Sequence, residues 1–82
     1  MSDRLAALLM LYCKDIAWRT ALGLGASGRD LDTALDGCFR GCHDMMTYRL
    51  MTEGDEFRSQ MLAVFEARYG DRIADAYKRW RP

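Results

Sequence analysis

The most chemically loaded stretch of the chain is Cys38-Phe39-Arg40-Gly41-Cys42-His43. On a helix, two thiols four residues apart share a face, and thiolates so placed can ligate a soft cation such as zinc. Cys13 or His43 could add further donors. His43 directly follows Cys42, however, so on a helix it points about 100° away and cannot easily join the same ion. Structural zinc sites commonly use two separated ligand pairs, and a second pair is missing here. Cys38 and Cys42 therefore read as small buried hydrophobes, with no metal and no cofactor expected.

The other chemical motifs fare no better. Cys38–His43 resembles a c-type haem attachment signal lengthened by one residue. Covalent haem attachment goes with export, and Met1-Ser2-Asp3-Arg4 does not open a secretory signal. Gly23-Leu24-Gly25-Ala26-Ser27-Gly28 has the glycine spacing of a dinucleotide-binding turn but follows a helical pattern instead of a strand. His43 is the single histidine, Asp44 is adjacent to it, and Ser27 and Ser59 lie in no nucleophile-elbow context. No enzyme is expected. Three cysteines without an export signal suit free thiols and a cytoplasmic setting.

The C-terminal Lys78-Arg79-Trp80-Arg81 offers the second functional reading. Bases there could grip nucleic-acid phosphates while Trp80 stacks on a base. Cations at a helix C-terminus also complement its dipole, with Trp80 extending an apolar stripe into the core. The whole chain carries twelve basic and twelve acidic residues, so it lacks the basic excess of nucleic-acid binders. Residues 28–56 are acid-rich and residues 57–82 base-rich, which suggests that the two stretches face each other. Asp30, Asp32 and Asp36 form the densest acidic group. A helix-turn-helix around Gly70 would present Asp71 and Asp75 to phosphates, an unfavourable placement.

The elements that position these residues are helices. Eighty-two residues make one domain, 1–82, around a single core. β-branched residues are scarce, and Ala, Leu, Met and Arg dominate. The expected fold is all-α: a small compact bundle of three to four helices. The first helix is capped by Ser2 or Asp3 and runs to about Leu22. The second starts near Ser27, with Asp30 at a capping-box position, and ends near Glu53-Gly54. Its apolar face is Leu31, Leu35, Cys38, Cys42, Met45, Met46 and Leu50. Gly37 and Gly41 either break it or form a small-residue ridge with Ala34, and continuity is the favoured reading. The third helix follows Asp55 with Phe57, Met61, Val64, Phe65 and Arg68 at helical spacing. Gly70 should cap it and Asp71 should open a short fourth helix carrying Ile73, Ala76, Tyr77 and Trp80. Helices one and two should pair antiparallel, the third should cross them, and the last should cap one end.

The feature that points furthest toward function is the first helix. Leu5, Leu9, Tyr12 and Ile16 form one apolar stripe. Leu8, Leu11, Trp18 and Leu22 form another, roughly 120–140° away, with Arg4, Asp15 and Arg19 beside it. Two stripes mean that the helix is central or that one face meets another chain. The expected activity is protein binding by a regulator, inhibitor or assembly adaptor, with a homodimer among the options. The expected contact residues are Leu8, Leu11, Trp18 and Leu22, with Arg4 and Arg19 at the rim. Met10 and Met51 are the methionines expected at the surface. No membrane partner is expected, because the run Leu5–Cys13 is too short to span. In size and in lacking catalytic motifs the chain is similar to small helical phage and plasmid products that block a host machine, inhibitors of CRISPR systems among them.

Overall fold

The computed structural model describes the backbone of residues 2–80, and the side chains of that span except at 76, 77, 79 and 80. It is all-α. Helix α1 spans Asp3–Gly23, α2 Arg29–Thr52, α3 Asp55–Tyr69 and α4 Ile73–Trp80, with a 3-10 turn at Gly70–Arg72. Among the described residues there is no strand, and no helix is long and apolar enough to cross a membrane.

The ends of α1 follow the sequence closely. Ser2 is the N-cap, its hydroxyl accepting from the Leu5 N–H at 3.1 Å. Gly25 adopts a left-handed φ of +76°. Its N–H donates to Leu22 O, and the Ala26 N–H reaches back to Ala21 O. That pair of bonds closes the helix as a Schellman motif, which needs a residue without Cβ strain at Gly25.

The start of α2 corrects the expected capping box. Gly28, at φ +58°, occupies the N-cap position and no side chain caps it. Ser27 lies one residue outside the helix, beyond reach of the free N–H groups that a cap must satisfy. Asp30 and Asp32 still occupy the first turn, where a helix dipole favours negative charge. The helix then runs unbroken through Gly37 and Gly41.

The short loop of residues 24–28 turns α2 back antiparallel to α1. On α1, Leu5, Leu9, Cys13, Ala17 and Ala21 are all buried, one turn apart. On α2 the matching ridge is Leu50, Met46, Cys42, Cys38 and Ala34, all buried or half-buried. Leu5 and Leu50 line one cavity, and counting inward from them along the two ridges places Cys42, packed against the core cluster, opposite Cys13. Stepping four residues outward from that pair in opposite directions aligns Leu9 with Met46 and Leu5 with Leu50. In the other direction it aligns Ala17 with Cys38 and Ala21 with Ala34. Ridges of this spacing interdigitate. The side chains shrink toward the loop, so the two backbones can lie close there.

At the other end α3 folds across the pair. Phe65 is fully buried and meets the Tyr12 ring at 4.9 Å between centroids. Arg4 pairs with Glu66, and Tyr69 reaches Asp15. Eleven residues of α1 advance about 16 Å, whereas three residues of α3 advance about 4.5 Å, so α3 crosses α1. Arg58 braces the corner, donating to the otherwise free Leu50 carbonyl at 2.9 Å and pairing with Asp55.

Gly70 is the C-cap of α3 as expected, but Asp71 lies inside the 3-10 turn and does not open α4. Gly70 keeps helical angles (φ −53°, ψ −42°), and the chain passes through the 3-10 turn straight into α4. A Cβ on Gly70 would come within 2.9 Å of the Glu66 carboxylate. The Glu66 carboxylate would have to shift to admit that Cβ, and no left-handed turn requires the glycine here. Met45 and Val64, expected in the core, are exposed. Each sits at the edge of its helix's apolar arc, and no third layer covers those edges. Ala76, Tyr77 and Trp80, expected on the inner stripe of α4, have side chains outside the described residues.

Gly37 and Gly41 face away from α1, and an added Cβ at either would meet nothing within 4 Å. Of the expected small-residue ridge only Ala34 packs against α1, and among the described residues nothing approaches the two glycines. Gly37→Ala and Gly41→Ala should therefore each stabilise the protein by about 0.5–1 kcal/mol, through helix propensity and unfolded-state entropy. Thermal denaturation of each variant checks this. A lower Tm instead would show that something packs against those glycines.

Candidate functional site

Enclosure of α1 is uneven along its length. In the first half Leu5, Ala7, Leu8, Leu9 and Leu11 are all buried. At about 100° per residue they span an arc of about 200°, so more than one neighbouring helix covers this half. In the second half the buried residues are Cys13, Ala17 and Ala21, on the side facing α2. Lys14, Trp18, Arg19 and Leu22 are exposed.

This splits the stripe expected to meet a partner. Leu8 is 0% exposed and Leu11 8%, so both belong to the chain's own core. Trp18 is 49% exposed and Leu22 58%, and Leu24 in the following turn extends the apolar surface at 74%. The expected rim residues are engaged within the chain. Arg4 holds Glu66 through two hydrogen bonds, far from Trp18 in sequence and on the enclosed half of α1. That pairing keeps the Glu66 carboxyl below its usual range. Arg19 pairs with Asp15 at 3.3 Å and remains beside Trp18.

Next to Trp18 a groove of about 520 Å³ opens along one edge of the α1–α2 pair. Met10, Lys14, Ala17 and Trp18 line it from α1, and Leu35, Asp36 and Phe39 from α2. Its floor is apolar, and Lys14 and Asp36 place opposite charges on its two sides. Phe39 escaped the sequence reading because it falls between Cys38 and Arg40 in the motif weighed for metal binding. Its spacing from Leu35, one turn away on the same face, was the available signal. Met51 is exposed as expected, and Met10 is half-buried in the groove.

The Cys38–His43 stretch is not gathered into a cluster. Cys42 turns inward to Cys13, while His43 stacks on Phe39 at 5.7 Å. Among the described residues, no group of three or more His, Cys, Asp or Glu is placed to hold a metal ion. Asp30, Asp32 and Asp36 are exposed on the first turns of α2, and Asp36 pairs with Arg40 at 3.2 Å. Among the described residues, Arg58–Asp55 joins the basic stretch to the acidic one. Arg40–Asp36 and Arg49–Glu53 lie within α2 itself. Lys78 is exposed, whereas the side chains of Arg79 and Trp80, and Arg81 altogether, lie outside the described residues.

Compared with known protein families, curated proteins and solved structures, the chain matches none.

One contact frames the open half of α1 from behind. The Tyr69 hydroxyl donates to Asp15 Oδ2 at 2.7 Å, tying the end of α3 to the turn of α1 that precedes Trp18. Burial first, and the Asp15 hydrogen bond second, push the Tyr69 hydroxyl up to about 12. The folded chain thus holds this proton more tightly than the unfolded chain, where it leaves near pH 10. The resulting stabilisation is complete below about pH 10 and is lost as pH rises toward about 12. Denaturant midpoints measured across that window should fall steeply for the native chain and less steeply for Tyr69→Phe.

Proposed function

We propose that this chain is a protein-binding module, a small regulator, inhibitor or assembly adaptor. Its docking face is the open second half of α1 together with the groove beside it. Trp18 and Leu22 are the anchors, Leu24 extends the face, and Arg19 stands at the rim. The observation that carries this reading is the exposure of Trp18 and Leu22 beside an apolar-floored groove. A half-exposed tryptophan bordered by arginine has the composition of an interface hot spot. Three free thiols suit action in the cytoplasm.

Leu8 and Leu11, being core residues, act in this reading only by holding α1 in place. Self-association is the first form of binding to measure.

Two variants separate docking from folding. Trp18→Ala should weaken association by roughly 2 kcal/mol or more, about thirtyfold, and cost at most about 1 kcal/mol of stability. Leu8→Ala, which empties a fully buried site, should cost about 2–5 kcal/mol of stability. Sedimentation velocity over a wide concentration range, paired with thermal denaturation, reads both quantities. If Trp18→Ala lowers Tm as far as Leu8→Ala does, Trp18 belongs to the fold and the reading fails.

A further inference from the structure

The α1–α2 interface contains a feature that protein binding does not use. Cys13 is fully buried, and Cys42, half-buried, lies opposite it in the antiparallel register. Both belong to the same apolar cluster, with Leu9, Met46 and Tyr12 around them. Cys38 is one turn removed from Cys42 on the same helix and aligns with Ala17, so no thiol on α1 faces it.

We propose that Cys13 and Cys42 are a cross-linking site: under peroxide they form a disulfide that staples α1 to α2 without rearranging either helix. Facing thiols held in place by packed helices supply the proximity that such bonds need. Cys42 is the more accessible sulfur and reacts first. Its sulfur takes one oxygen from hydrogen peroxide, giving a sulfenic acid and one molecule of water. The Cys13 sulfur then attacks the Cys42 sulfur, and the S–O bond breaks. Hydroxide leaves with the Cys13 proton as a second water. Two electrons have passed from the sulfur pair to the peroxide, and thiol reductants reverse the bond. Burial, followed by the Cys42 side chain, pushes the Cys13 thiol well above its ordinary range. The second step is therefore slow and should accelerate with rising pH.

The cross-link closes a loop of about 30 residues, so it restrains the unfolded chain strongly. The test is peroxide treatment of the native chain and of Cys38→Ser, followed by non-reducing peptide mapping and thermal denaturation. The expected product in both is an intramolecular Cys13–Cys42 peptide pair, with Tm raised by roughly 10–20 °C and restored by dithiothreitol. Cys13→Ala and Cys42→Ala should give neither the pair nor the rise. Because Cys38→Ser alters only a half-buried site, the mapping stands even if Cys13→Ala fails to fold. A Cys38–Cys42 bond, an intermolecular disulfide, over-oxidation of Cys42 without cross-linking, or a bond that lowers Tm would each overturn the proposal.

Discussion

Everything in this fold depends on enclosing the first half of α1. Leu5, Leu8, Leu9 and Leu11 point outward around the helix, and no single neighbour can cover all of them. Each exposed leucine would forfeit about 1.5–3 kcal/mol of transfer free energy, a large share of a small domain's net stability. α2 takes one side through the ridge from Leu50 to Ala34. α3 crosses another and drives Phe65 against Tyr12. Ile73, at the head of α4, completes the same cluster.

The open half of α1 follows from the same constraint. The chain spends α3 and α4 on the leucine-rich half, and what remains over Trp18 and Leu22 is the groove edge and solvent. The polar contacts reinforce this division. Arg4–Glu66 and Tyr69–Asp15 both tie α3 to α1 ahead of Trp18. Asp15 serves two partners, the Tyr69 hydroxyl behind it and the Arg19 guanidinium in front. The rigid end of the molecule thus meets its apolar surface at that carboxylate.

The exposed face of α2 shows a different economy. Gly37 and Gly41 lie there with open space around them, although glycine weakens a helix interior. The helix survives because its opposite face, Met46 and Leu50 above all, is held by α1. Tertiary packing outweighs local propensity, as it does in most short helices.

The sequence alone determined a good deal. The scarcity of valine and isoleucine argues against a sheet, and the glycines near 23–28 and at 54 mark two of the turns. Ser2 fits its cap, and the unbroken phase of Leu35, Cys42, Met46 and Leu50 carries α2 across its glycines. These are local or periodic properties, and backbone geometry acts on them within one or two turns. Only the tertiary structure decided which α1 residues are core and which are surface. Leu8 and Trp18 share a stripe on α1, yet one is sealed in the core and the other lies open. The same holds for the pairing of Arg4 with Glu66 and for the meeting of Cys13 with Cys42. Those outcomes depend on where distant segments stop, and helical periodicity carries no information about that.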